Sequence, residues 1–283
     1  MNVKTAIRPT RRRVAVLGAV AGVAALTLTA ATGSASAAKA EHGPSHPKPT
    51  VVLVHGAFAD SSSWNGVIER LRHEGYPVIA PANPLRGLAG DAAYIHSVLK
   101  SVSGPVVLVG HSYGGAVISE AAVDSPQVKA LVYIAAFAPE KGESALELSN
   151  KFPGSTLGTA LNPVSFPLPG GGTGTDLYIK TDMFHHQFAA DVPKRVTDLM
   201  AATQRPVAAS ALDEKATTPA WKTIPSWDLV TTQDLNIPPA AQRFMAERAH
   251  AHTIEIKASH AVSVSHPGAV TRLIEQAART TGH

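Results

Sequence analysis

The stretch "VVLVGHSYGGAVISEAA", Val106 to Ala122, limits the fold more than any other part of this chain. A run of aliphatic, strand-type residues stops at Gly-His-Ser-Tyr-Gly-Gly and gives way at once to helix formers. A strand can turn into a helix within so few residues only at a sharp corner. Gly110-His111-Ser112-Tyr113-Gly114 fits the pattern G-x-S-x-G, in which the serine sits on a strained turn at the end of a strand. Side chains two positions either side would collide with the backbone there, and Gly110 and Gly114 remove them. Gly115 lets the following helix approach the sheet. The alternative, a serine-glycine turn with no chemistry, does not account for a matching strand before it and helix after it.

Such a corner belongs to a parallel sheet, and the rest of the sequence has that rhythm. Short aliphatic runs occur at Val51 to His55, Pro77 to Ala80, Pro105 to Gly110, Ala130 to Ala135, Trp227 to Thr231 and Thr253 to Lys257. Between them lie helical patterns at Trp64 to His73, Ala89 to Val102, Gly115 to Val123, Pro239 to His250 and Pro267 to Ala278. Strands apolar on both faces and separated by helices predict an α/β, doubly wound, mostly parallel sheet. The alternation fails between Pro139 and Pro225. That interval shows no convincing buried strand; the glycine-rich "PLPGGGTGTD" reads as a loop, followed by helices around Met183 to Ala190 and Lys194 to Thr203. The expectation is a core of residues 51–139 and 226–283, with residues 140–225 as a helical lid over the carboxyl ends of the strands.

The formal net charge of +4 arises from the amino-terminal segment. Residues 1–37 hold Lys4, Arg8, Arg11, Arg12 and Arg13 and no acid; removing those five from 25 bases leaves 20 against 21 acids, about −1. No basic patch is left to argue for nucleic acid. The basic start, the apolar run Val14 to Leu28 and Ala35-Ser36-Ala37 predict a signal peptide over 1–37, hence secretion. The run is shorter than the ~20 residues of a membrane anchor and is diluted by Gly18, Gly22 and Thr27. The arginine cluster also offers a weak match to a twin-arginine signal. Residues 38–50 read as a polar, proline-bearing tether. There is no cysteine, so an exported chain would have no disulfide framework.

A serine hydroxyl needs a base, and the base needs an acid to orient it, here in the order Ser, Asp or Glu, His. Of 13 histidines, His260 stands three residues past the last strand, where a loop would deliver an imidazole to Ser112. His55 ends the first strand, His111 lies inside the corner, His266 reads as opening the final helix, and His250 and His252 read as surface. Two aspartates compete for the acid. Asp228 falls early in "SWDLVTT" and reads as a solvated residue at the wrong end of its strand. Asp234 follows the strand and is chosen. An oxyanion requires two backbone N–H donors: Tyr113 offers one, and the loop after the first strand offers the other, with Ala57 the first candidate and Phe58 the second. Phe58, Phe184 and Trp221 are the candidates to contact substrate, from a set in the insertion that also includes Phe166, Leu168, Leu177, Tyr178, Met183, Phe188 and Met200.

His55-Gly56-Ala57 after the first strand, "GHSYGG", Asp-x-x-Ile-Pro after the penultimate strand and Ser-His after the last resemble α/β-hydrolases. Within them the chain is most similar to the compact branch of plant methylesterases and hydroxynitrile lyases, and to bacterial esterases of that type. The resemblance runs from Val51 onward and is loose in the insertion. It implies a Ser112, His260, Asp234 triad, an oxyanion hole at Ala57 and Tyr113, and no metal or organic cofactor. Lyases of that branch carry threonine after the first-strand histidine and lysine after the catalytic histidine; Gly56 and Ala261 stand at those positions here. The expected activity is therefore hydrolysis of small carboxylic esters. A cofactor-free haloperoxidase or perhydrolase would use the same triad, and a triad-bearing protein that only binds a small ligand is the reading from another class. His185-His186 are adjacent on a helix and do not share a face, which argues against a metal pair.

Overall fold

The computed structural model describes residues 47–282. The segment expected to be a signal peptide and most of the expected tether lie outside them. Pro47 to Pro49 belong to the folded body: Pro49 is buried, and Lys48 Nζ sits 4.3 Å from the centre of the Tyr76 ring.

The amino-terminal half runs β1 (Thr50–Val54), α1 (Asn65–His73), β2 (Val78–Ile79), α2 (Leu88–Lys100), β3 (Val106–His111), α3 (Tyr113–Ala121) and β4 (Val128–Ile134). An insertion follows, with α4 (Ala145–Lys151), α5 (Leu157–Ala160), β5 (Leu161–Pro167), β6 (Thr173–Ile179), α6 (Thr181–Phe188), α7 (Lys194–Thr203), β7 (Val207–Ala208) and α8 (Ala209–Asp213). The chain then returns to the main sheet as β8 (Ser226–Thr231), α9 (Pro239–Arg248), β9 (His252–Ile256), α10 (Val262–Ser265) and α11 (Pro267–Arg279).

Six strands form one parallel sheet in the order β2-β1-β3-β4-β8-β9. The inner strands β1 and β3 are almost wholly apolar because both their faces are covered, and successive residues go to opposite cores, whereas the edge strand β9 is largely exposed. Val52, Val54, Val106 and Leu108 join the cluster under α2 and α3. Val51, Leu53, Val107 and Val109 join the other, with Trp64, Val67 and Leu71 beside α1 and Val270, Leu273, Ile274 and Ala277 from α11. That last set recurs at the three- and four-residue spacing that places side chains on one helix face.

The strand order reverses at β1. The chain moves outward to β2 and comes back to add β3 on the other side, so the crevice at the carboxyl ends of β1 and β3 is the topological switch point. The loop carrying Gly56 and Ala57 opens on one side of that crevice, and Ser112 lies on the other.

The insertion departs from the expected all-helical composition. Its glycine-rich segment is the turn of a hairpin: β5 and β6 pair antiparallel from Leu161 with Ile179 to Pro167 with Thr173, and β7 adds alongside β6. Pro163 and Pro167 spoil the strand signature in sequence, yet β5 is an edge strand, where a missing backbone donor is tolerated. Most of β5 is exposed or half-exposed, so no apolar alternation marks it.

Candidate active site

Ser112 adopts φ 55° and ψ −125°, a combination that a side chain raises in energy. The surroundings hold it there. Its N–H donates to Ile134 O at 3.2 Å, and its carbonyl accepts from Gly115 N at 3.0 Å and Phe137 N at 3.1 Å. A Cβ on Gly110 would come within 2.5 Å of Gly114 O, and one on Gly114 within 2.5 Å of Val54 O, so the corner closes only with glycine at both positions. The Tyr113 hydroxyl, buried with its pKa driven up by desolvation, donates to Asp91 Oδ2 at 2.9 Å and fixes the first turn of α3.

His260 is 1% exposed. Its Nδ1 donates to Asp234 Oδ2 at 2.6 Å, which leaves Nε2 without a proton in the neutral ring. Asp234 is itself surrounded by donors: Asn236 N at 2.8 Å and Ile237 N at 3.0 Å on one oxygen, Gln242 Nε2 at 2.9 Å and Thr231 Oγ1 at 3.1 Å on the other. The backbone of His260 is held too, its carbonyl accepting from His111 Nε2 at 2.9 Å. Ser112 and His260 line one cavity of about 170 Å³, together with Ala57, Phe58 and Tyr113. No hydrogen bond joins Ser112 Oγ to His260 among the described residues; such links are commonly loose without substrate and tighten in the reacting complex.

The two oxyanion candidates are distinguished by their partners. Phe58, at φ 60°, donates its N–H to Arg205 O at 3.0 Å, so that donor is spent. Ala57 N–H forms no such bond among the described residues, and Tyr113 is the first residue of α3, where N–H groups have no partner inside the helix. Gly56 brings the loop against the corner: a Cβ there would lie 2.6 Å from Ser112 Cβ and 2.7 Å from His111 O.

Several side chains are placed differently from their reading in sequence. Asp228 is not solvated. It is 1% exposed in the fully buried β8, its Oδ1 has no hydrogen-bond partner among the described residues, and burial holds its carboxyl well above the usual pKa. Phe184 and Trp221 do not line the Ser112 cavity. Phe184 is enclosed against Phe188, with ring centres 5.1 Å apart, and Trp221 donates Nε1 to Pro139 O at 3.0 Å. Of the apolar residues considered in the insertion, Leu177 lines the cavity, beside Leu146, Leu157, Leu161 and Leu212, which carry no aromatic flag in sequence.

Two histidines set aside in sequence turn out to hold the site. His55 donates from Nδ1 to Gly56 O at 2.9 Å and accepts at Nε2 from Asn83 N at 3.0 Å, while Asn83 Nδ2 donates to His55 O at 3.0 Å. A carbonyl and an N–H allow only that neutral tautomer, and burial lowers its pKa from 6.5 to about 4. His111 is driven further, to about 3, by burial and then by the neighbouring His260. Neither Asn83 nor Gln242 has a recognisable sequence signal; only the tertiary structure brings them in.

Residues 51–273 match the model of the alpha/beta hydrolase family. The chain belongs to that family. It is 28% identical over 253 residues, 82% of this chain and 97% of the relative, to the alpha/beta hydrolase nvfD of Aspergillus novofumigatus. It is also 35% identical over 113 residues to a carbendazim hydrolyzing esterase of Nocardioides, a match that spans 35% of this chain and 47% of that esterase's length. Among solved structures, polyneuridine aldehyde esterase shares the fold with a TM-score of 0.71 at 18% identity, over 81% of this chain and 98% of its own.

Proposed function

We propose that this chain hydrolyses small carboxylic esters through an acyl-enzyme on Ser112. The observation that carries the reading is the buried His260–Asp234 pair, 2.6 Å apart, opening on the same cavity as a serine held in a strained corner. In this reading Ser112 Oγ attacks the ester carbonyl and His260 Nε2 takes its proton. The N–H groups of Ala57 and Tyr113 bind the oxyanion. The imidazolium, steadied by Asp234, then returns the proton to the departing alkoxide, and water repeats the sequence on the acyl-enzyme. A cavity of about 170 Å³ is below the 300–1,000 Å³ typical of drug-sized ligands and suits a small ester.

Turnover of p-nitrophenyl butyrate tests this directly. Ser112→Ala should lower kcat by about 10⁴ or more with the far-ultraviolet dichroism unchanged. Near-normal turnover by that variant would overturn the assignment. Export follows from the basic, apolar and Ala35-Ser36-Ala37 sequence, and mass spectrometry of culture supernatant should find a chain starting at Ala38, or at Glu41 if Ala38-Lys39-Ala40 is cut.

A further inference from the structure

Gln242 stands near the start of α9 and is 1% exposed. Its side-chain amide has one possible orientation. Thr231 N–H can only donate and meets the amide at 3.0 Å, so the atom facing it is Oε1. Ile237 O can only accept and meets the other atom at 2.9 Å, so that atom is Nε2. The amide thereby spans the loop that carries Asp234, from its root at the end of β8 to its far side at Ile237. The same Nε2 donates to Asp234 Oδ2 at 2.9 Å, in the middle of that loop.

The oxygen that Gln242 meets is the one that faces the base. Asp234 Oδ2 receives His260 Nδ1 at 2.6 Å, and Thr231 Oγ1 donates to it as well at 3.1 Å. The other oxygen, Oδ1, is held by the N–H groups of Asn236 and Ile237. The backbone thus anchors one oxygen, and the two side-chain donors fix where the second points. They also act electrostatically. Each draws charge from the oxygen that steadies a protonated His260, and so favours the neutral ring, whose Nε2 can accept a proton. Other titratable groups near His260 are engaged elsewhere. His111 of β3, with ring centres 4.7 Å apart, is kept neutral by burial, its pKa lowered to about 3. On the insertion side Phe188 carries no charge, and Asp191 accepts from Ser259 Oγ and lies 3.5 Å from His266 Nδ1. Among the described residues none of these side chains hydrogen-bonds to Gln242 or Thr231.

We propose that Gln242, assisted by Thr231, is a positioning residue for this reaction: it locks the Asp234 carboxylate toward His260 and moderates its charge, so that Nε2 stays unprotonated and able to act as base. The proposal rests on the hydrolase reading above and adds to it the residues that set the working pH of the base. Gln242 touches neither substrate nor the reacting atoms; it acts through Asp234.

The experiment measures kcat/KM for p-nitrophenyl butyrate against pH, whose acid limb reports protonation of the free enzyme's base. Gln242→Met keeps the unbranched side chain and removes the donor. It should lower kcat and kcat/KM together, about tenfold on the plateau, and move the acid limb to higher pH, because Asp234 Oδ2 then holds more charge beside His260. A merely structural role predicts otherwise: a loosened Asp234 steadies the imidazolium less and moves the limb to lower pH, and lost stability alone leaves it in place. An acid limb that is unmoved or lower in Gln242→Met therefore overturns the proposal. Where that variant does not fold or turn over, Thr231 decides. Thr231→Val removes the second donor at nearly constant shape and should raise the limb, while Thr231→Ser, which keeps the hydroxyl, should leave it at the wild-type position. A wild-type limb in Thr231→Val would overturn the assignment. Wild-type protein without ester turnover, or turnover that survives Ser112→Ala, would instead refute the hydrolase reading.

Discussion

Replacing Gly56 by alanine tests how tightly the proposed oxyanion loop is seated against the corner at Ser112. The added Cβ would lie 2.6 Å from Ser112 Cβ, 2.7 Å from His111 O and 3.2 Å from Ser112 Oγ. Comfortable separations between carbon atoms are about 3.5 to 4.0 Å, so the loop and the corner must part by about 1 Å. His111 O is backbone at the end of β3, where His111 is paired in register with Ile134, so the corner resists the shift. The yielding partner is the loop, and the group it carries away is the Ala57 N–H. Displacement of about 1 Å in a reacting geometry costs about 10²-fold in rate, and loss of one oxyanion donor about 2.7 to 4 kcal/mol, which is of the same order. Gly56→Ala should therefore lower kcat for p-nitrophenyl butyrate about 100-fold while urea unfolding shows a loss of about 1 to 3 kcal/mol for the overpacked contact. Gly90→Ala is the control: a Cβ there meets nothing within 4 Å, and the change should leave kcat alone and add about 0.4 to 1 kcal/mol of stability. A kcat for Gly56→Ala within about threefold of wild type would refute the reasoning.

Asp234→Asn should lower kcat by up to about 10⁴, because an amide NH₂ in place of one carboxylate oxygen would confront donors from Gln242, Thr231, Asn236 or Ile237 and disturb the His260 tautomer; steady-state kinetics at saturating ester measures it. The fold should be acid-labile through His55 and His111, whose pKa values of about 4 and about 3 lie below the ordinary 6.5. Above pH 6.5 both are neutral in either state; as pH falls through 6.5 the unfolded chain takes up protons that the fold refuses, costing about 1.4 kcal/mol per unit for each histidine until its folded pKa is reached, and urea midpoints at pH 7 and pH 5 should show the decline. Asp228 works in the opposite sense, since its folded pKa is raised: stability falls as pH climbs above the ordinary carboxyl range, while Asp228→Asn removes that dependence, so the variant should gain on wild type in thermal melts between pH 5 and pH 8. An equal pH response in the two chains would show that Asp228 does not titrate as its burial requires.

Sequence determined what rests on local chemistry. The glycines of the corner, the strand before Ser112 and the helix after it are contiguous, so one stretch carried the corner and its serine, and the alternation of aliphatic runs with helical patterns carried the parallel sheet. The six strands of the main sheet fall within two residues of their expected bounds; for the inner strands β1 and β3 the reason is that a strand buried on both faces carries few polar residues to blur its ends. Tertiary structure decided what depends on residues far apart in the chain. The β5–β6 hairpin was hidden by prolines that an edge strand tolerates. Asp228 reads like any polar residue near a strand start, and only the burial of β8 on both faces makes it a sealed carboxyl. Which apolar side chains wall the cavity was likewise illegible, since aromatic residues such as Phe184 and Trp221 pack the interior as readily as they face a ligand. The amide of Asn236 is the extreme case: its Oδ1 accepts from Gln187 Nε2 at 2.9 Å, 49 positions earlier in the chain, and hydrogen-bond direction is a property of the folded neighbourhood that no local pattern encodes.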